Sequence, residues 1–344
     1  MSKDRRMNPL DRRTFLKSSA AGLMVGGALH HSNTIQASAS PTALAKEANV
    51  TADLIPIVDT HEHLWDLTKF TLPWAKDNET LNRSFVTADY LKATANVNVV
   101  KSVYMEVDVE PSQQVAEAEY VIALCKAPGN PMVGAVISGR PASDGFRDYI
   151  LKFKGSEYIK GVRQVLHGDG DPKGLCLDKQ FVKSVQLLGE LGMTFDLCMR
   201  DSELMDGDKL VAQCPHTQFI VDHCGNHSVQ ETDPKKRKVW EDGMKALAQR
   251  PNVVCKISGI IATAKKGWKV ADLQPNMQFS METFGPDRRM FAGDWPVCTL
   301  AASFEQWVNA LKEIVKNLGM SAADQKKLFH DNAVKFYGLK DKVV

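Results

Sequence analysis

Eight short apolar runs, each followed by a stretch with helical periodicity, constrain this chain more than any other feature. The runs are residues 55–60, 99–107, 132–138, 158–163, 193–199, 218–222, 252–258 and 289–294. They are rich in β-branched residues, as buried strands are. Between them lie amphipathic stretches. Residues 178–191 place Phe181, Val185, Leu188 and Leu191 on one stripe, and residues 303–318 place Phe304, Trp307, Val308, Leu311, Val315 and Leu318 on another. Eight strand–helix units over about 290 residues predict one (β/α)8 barrel of residues 53–344, a fold of roughly 250 residues plus insertions. A doubly wound sheet would share the alternation, but no Gly-rich dinucleotide fingerprint follows the first run.

The strand ends carry the chemistry. The first run closes on Asp59-Thr60-His61-Glu62-His63, where strict alternation predicts Asp59, His61 and His63 on one face. Two imidazoles at the end of a buried strand make a metal-ligand pair or an acid–base pair. The sixth run ends in His223 and the eighth in Asp294; Glu106 and Arg163 stand at the ends of the second and fourth. In a barrel all six would gather at the carboxyl end, where longer loops also lie and where barrel sites are built. Unrelated core residues would not be expected to concentrate charge this way, because buried charges are rare unless paired or ligating. Lys256 is a further candidate substrate contact at the seventh strand, His167 one in the fourth loop, and Trp65 a candidate apolar wall.

The first 39 residues read as a targeting segment, followed by a linker to about residue 52. Asp11-Arg12-Arg13-Thr14-Phe15-Leu16-Lys17 fits a twin-arginine export signal, and a weakly apolar stretch then leads to Ala37-Ser38-Ala39, a small-x-small cleavage site. The apolar stretch is shorter than the roughly 20 residues a spanning helix needs. The expectation is therefore cleavage, a periplasmic product and no membrane attachment afterwards. The segment carries six Lys/Arg against two Asp, a net +4, in a chain whose total is +2. The body is thus slightly acidic, with no electrostatic case for nucleic acid. The basic run 233–238 reads as a solvated helix start. Seven scattered cysteines without a C-x-x-C pair predict buried thiols rather than a disulfide framework.

Taken in order, the strand-end motifs resemble the amidohydrolase superfamily, and within it the amidohydrolase-2 branch of sugar lactonases and pyrone-dicarboxylate lactonases. The matching pieces are Ile57-Val-Asp-Thr-His-Glu-His-Leu-Trp-Asp66, Gly161-Val-Arg-Gln164, Val221-Asp-His-Cys-Gly225, Cys255-Lys-Ile-Ser-Gly259, Ala292-Gly-Asp-Trp-Pro296 and Asp331-Asn-Ala-Val-Lys-Phe-Tyr-Gly338. Any one piece is weak, but their order and spacing over residues 55–339 are specific.

The resemblance implies roles. Asp294 would take a proton from the attacking water and return it to the leaving group. His61 and His63 would bind a divalent metal or the substrate carbonyl, and His223 would orient water or polarise that carbonyl. Arg163 would hold a carboxylate or the developing oxyanion, and Glu106 would contact substrate or add a ligand to the metal. The chain departs from the fuller superfamily pattern at the fifth strand, Met193-Thr-Phe-Asp-Leu-Cys-Met199, which ends in no histidine. The remaining set, His61, His63 and Asp294, suffices for one catalytic zinc, and it is also the set of metal-free lactonases of this branch. The expected activity is hydrolysis of a sugar-acid or related carboxylated lactone. A metal-dependent decarboxylase and a non-catalytic binding barrel are the rivals. The missing fifth-strand histidine weighs against the first and the intact Asp294 against the second. The expected partner is a small molecule.

Overall fold

The computed structural model describes residues 55–342 except Asp169. The expected leader and linker lie outside the described residues. Eight strands form one parallel sheet in sequence order: β1 (Ile57–Glu62), β2 (Val99–Met105), β3 (Met132–Ser138), β4 (Ile159–Leu166), β5 (Thr194–Met199), β6 (Phe219–Val221), β7 (Val253–Ile257) and β8 (Arg289–Phe291). The ring closes just beyond β8. Glu62 bridges Trp295 in parallel, Asp294 N donates to His61 O at 2.9 Å and His63 N donates to Trp295 O at 2.8 Å. The predicted α/β barrel is therefore the observed one. The closing bonds belong to the same residues as the candidate chemistry.

Helices fill the outer layer. α1 (Thr87–Ala93), α2 (Gln114–Lys126) and α3 (Phe146–Leu151) follow β1 to β3. α4 (Lys179–Glu190) starts where the Asp178 side chain accepts from the Gln180 and Phe181 amides, and it buries Phe181, Val185 and Leu188. α5 (Leu204–Gln213), α6 (Pro234–Ala248) and α7 (Val270–Phe284) complete the middle of the ring. α8 (Phe304–Asn317) begins with a Ser303–Gln306 capping box and buries Trp307, Leu311 and Val315. Both helical stripes fall where the sequence pattern put them. The short α9 (Ala322–Lys326) and α10 (Asn332–Tyr337) end the fold. Ala333, Tyr337 and Leu339 from this last segment join Val58, Val103, Val136, Ile220, Val254 and Met290 in one apolar cluster inside the barrel. Among the described residues no helix is long and apolar enough to cross a membrane.

The first strand departs from strict alternation. Asp59 pairs with Ser102 but Glu62 pairs with Tyr104, so three steps on β1 face two on β2, a β-bulge. The extra residue changes which side chains enter the barrel. Asp59 does not share the face of His61 and His63. Its carboxylate turns outward, accepting from Tyr90 Oη of α1 at 2.8 Å and from Gly293 N at 2.7 Å. It also accepts from His61 N at 3.0 Å, so it pins the bulge rather than joining the site. Burial raises its carboxyl above the usual range, opposed by those amides and by Tyr90.

Candidate active site

Asp294 and the three histidines meet where the ring closes. Asp294 Oδ1 lies 3.4 Å from His63 Nε2, 3.7 Å from His61 Nε2 and 3.9 Å from His223 Nε2. The His61 ring centroid is 4.7 Å from that of His63 and 4.4 Å from that of His223. All four residues are buried, His223 the most open at 8%. The predicted convergence of these four is thus present. Two of them sit on left-handed backbone, His223 with φ 53° and Asp294 with φ 53°. For His223 this has a geometric use. Asp222, just past β6, points into the barrel; in an extended chain His223 would then point away. The left-handed turn brings its ring back over the same end. Such residues cost about 1–3 kcal/mol each and collect at functional sites.

Each histidine is oriented by its second nitrogen. His63 Nδ1 lies 2.9 Å from Met105 O. A carbonyl only accepts, so Nδ1 carries a proton and Nε2 faces Asp294. His223 Nδ1 lies 2.9 Å from Ser258 Oγ, which can donate or accept. Arg163 Nη1 lies 3.2 Å from His61 Nε2. A guanidinium only donates, so His61 accepts there and protonates at Nδ1, facing Asp222 Oδ1 at 3.6 Å. Burial holds the His61 imidazole well below its ordinary value, although Asp222 pulls the other way; burial likewise lowers His223 against Asp294 and Asp222. Both rings are therefore neutral near pH 7, the form that ligates or accepts.

Two clusters could hold a cation: His61, His63 and Asp294, and His61, Asp222 and His223, with the ligand atoms of each group within 4.8 Å of one another. Zinc ligands at about 2.0–2.2 Å in a tetrahedron stand roughly 3.3 Å apart. The 3.4 and 3.7 Å separations in the first cluster match that spacing. The donor set fits one divalent ion, for which His61 Nε2 would give up its bond from Arg163 Nη1.

The other candidates are placed differently. Arg163 is buried, its Nε donating to Glu106 Oε1 at 2.6 Å and its Nη2 to Glu106 O at 2.8 Å. Glu106 Oε2 accepts from Asp108 N at 2.7 Å. Lys256 is fully buried, 2.6 Å from Asp196 Oδ2 and 3.3 Å from Asp222 Oδ1. Glu106 and Lys256 thus have carboxylate–cation partners inside the barrel, and Arg163 also reaches His61 Nε2 in the catalytic cluster. Burial opposes both cations, but Glu106 holds the Arg163 guanidinium protonated, and Asp196 and Asp222 do the same for Lys256. Trp65 is fully buried, Nε1 donating to Arg83 O at 2.6 Å and the ring packed edge-on against Trp74 and Phe85. His167 is half-buried, immediately beyond β4.

Sequence reasoning missed Asp196, Asp222 and Ser258. A charged residue in the middle of the apolar run at 193–199 was itself a signal for Asp196, since an unpaired buried carboxylate is costly. Burial pushes its carboxyl up to about 7 in spite of Lys256. Asp222 goes the other way: burial raises it, but Lys256 and His61 together hold it well below the usual range. Asp222 and Ser258 each sit beside a motif residue, and only the fold shows which way they point.

Comparison with known proteins agrees with this geometry. A family model described as amidohydrolase matches residues 58–339. An uncharacterized protein of Sinorhizobium fredii is 30% identical over 302 residues, 82% of this chain and 98% of its own length. An L-fucono-1,5-lactonase of Burkholderia multivorans is 24% identical over 290 residues, 82% of this chain and 96% of its own. Among solved structures, an amidohydrolase of Burkholderia multivorans with bound zinc superposes with a TM-score of 0.73 at 22% identity, covering 83% of this chain and 99% of that one. With the family match running almost the length of the described barrel, this chain belongs to the amidohydrolase family.

Proposed function

We propose that this hydrolase opens a sugar lactone, with Asp294 as the proton shuttle. The observation that carries the reading is Asp294 Oδ1 held 3.4–3.9 Å from three imidazole nitrogens at the open end of the barrel. Water adds to the lactone carbonyl as Asp294 removes its proton. The ring C–O bond then breaks, and Asp294 returns the proton to the leaving oxygen, giving the open hydroxy acid. When Ser258 donates to Nδ1, His223 carries its proton on Nε2 and can donate to the developing oxyanion. His61, His63 and Asp294 would hold one divalent ion, zinc by donor type, which supplies carbonyl polarisation and a more acidic water. Both cations inside the barrel are already neutralised by this chain's own carboxylates, which favours a neutral sugar lactone over a carboxylated ring. The lactonase relative and the zinc-bound neighbour support the same reading. At the fifth strand stands Asp196, bound to Lys256, so that strand offers no histidine ligand for a metal-dependent decarboxylase. The twin-arginine leader adds that the hydrolysis takes place after export.

A pH-stat screen tests this. The purified protein, with zinc and after chelation, is offered L-fucono-1,5-lactone, L-rhamnono-γ-lactone, a pyrone dicarboxylate and an aromatic carboxylate. Acid release from the neutral sugar lactones is expected. Carbon dioxide release from the aromatic acid, or inertness to every lactone, would overturn the reading.

A further inference from the structure

Beneath the catalytic cluster lies a row of fully buried charges that the proposed chemistry does not touch. Asp196 Oδ2 receives Lys256 Nζ at 2.6 Å, and the same ammonium lies 3.3 Å from Asp222 Oδ1. Asp222 Oδ1 in turn faces His61 Nδ1 at 3.6 Å. Neither Asp222 oxygen nor His61 Nδ1 makes a hydrogen bond among the described residues. Asp222 is therefore placed by charge alone, with Lys256, Arg163 and His61 around it. Arg163 has its other anchor on Glu106 and Lys256 on Asp196.

Stability does not account for the row. The same barrel interior is filled elsewhere by Val58, Val103, Val136, Ile220, Val254 and Met290, and well-packed apolar residues usually stabilise as well as, or better than, a buried ion pair. The charges point at one atom of consequence, His61 Nδ1. We propose that Lys256 and Asp196 are positioning residues: their ion pair holds Asp222 against His61 Nδ1, and this, together with the Arg163 guanidinium at Nε2, fixes the imidazole as its Nδ1–H tautomer with Nε2 on the Asp294 side. The proposal rests on the placement of His61 in the active site but not on the identity of the substrate.

The test is the double variant Lys256→Met/Asp196→Leu, which removes both charges and restores an apolar layer, alongside Lys256→Met alone. The double variant is expected to melt within a few degrees of wild type. On a lactone that wild type hydrolyses, its kcat is expected to fall about 10–100-fold, the usual effect of losing an outer partner of a site histidine, with KM changed less than about threefold. Nitrogen-15 spectra of labelled histidine should show one Nδ1–H form for His61 in wild type, with or without chelator, and both tautomers in the double variant. A folded double variant with wild-type kcat would overturn the proposal. If neither variant folds, the near-isosteric Asp196→Asn is measured in their place: mixed His61 tautomers with a lowered kcat uphold the proposal, and a single Nδ1–H form with wild-type kcat overturns it. Should no lactone be turned over, the function fails but the tautomer measurement still judges the positioning row.

Discussion

His223 shows how closely single residues limit this site. A Cβ placed on Gly259 would lie 2.2 Å from His223 Nδ1, and Gly259 has φ 68°. Gly259→Ala should therefore both strain the backbone and displace the ring from Ser258. We expect a loss of about 1–3 kcal/mol in denaturant titration and a larger proportional loss of kcat than Ser258→Ala gives. A stable variant with full turnover would show that the ring has another resting place. Glu62 offers a pH test. Burial pushes its carboxyl from 4.5 up to about 8, with the Ser102 hydroxyl pulling down. A carboxyl raised in the folded state contributes stability that is fully present below its unfolded value and is lost as pH climbs through the folded one. The window here is 4.5 to about 8. Glu62→Gln removes this titration, so the Tm of the variant relative to wild type should rise across that window. A Tm difference that stays constant across it would show that Glu62 does not titrate there.

At the level of elements, the strands and the two amphipathic helices were legible because period and burial are written directly in apolar spacing. Three things were not. The bulge in β1 depends on pairing with β2, and no local pattern marks one extra residue between Asp59 and Glu62. The left-handed turns at His223 and Asp294 break alternation at positions where most residues would not adopt it. The partners of Arg163 and Lys256 come from other strands, so the local sequence does not show which carboxylates they meet. Asp59 ties three elements together: the β1 bulge, α1 through Tyr90, and the Gly293 amide before Asp294. Tyr90→Phe leaves a buried carboxylate one donor short. The expected cost is about 1–3 kcal/mol, with an unchanged dependence of stability on denaturant. A change below about 0.5 kcal/mol, the scale of ordinary surface substitutions, would mean that Tyr90 is not what holds the bulge.

The whole molecule places its charge unevenly. The basic first 39 residues and the slightly acidic remainder are in keeping with the export and the neutral substrate proposed above. Replacing Arg12 and Arg13 with Lys should trap full-length protein in the cytoplasm, whereas wild type should appear in the periplasm with a new N-terminus after Ala39; fractionation and N-terminal sequencing distinguish the two, and unaltered export of the Lys pair would refute the leader. Within the barrel, closure of the ring and assembly of the site are one event, since Asp294 N donates to His61 O and His63 N to Trp295 O. That coincidence puts the weight of the account on Asp294. Asp294→Asn is nearly isosteric and keeps the backbone closure, but an amide cannot take up and return a proton. The most direct measurement is kcat of Asp294→Asn on a sugar lactone that wild type opens, with binding of that lactone measured in parallel. The account predicts a fall of roughly 10²–10⁴-fold with binding largely kept; a variant retaining more than about a tenth of wild-type kcat, well short of the smallest such loss, would contradict it.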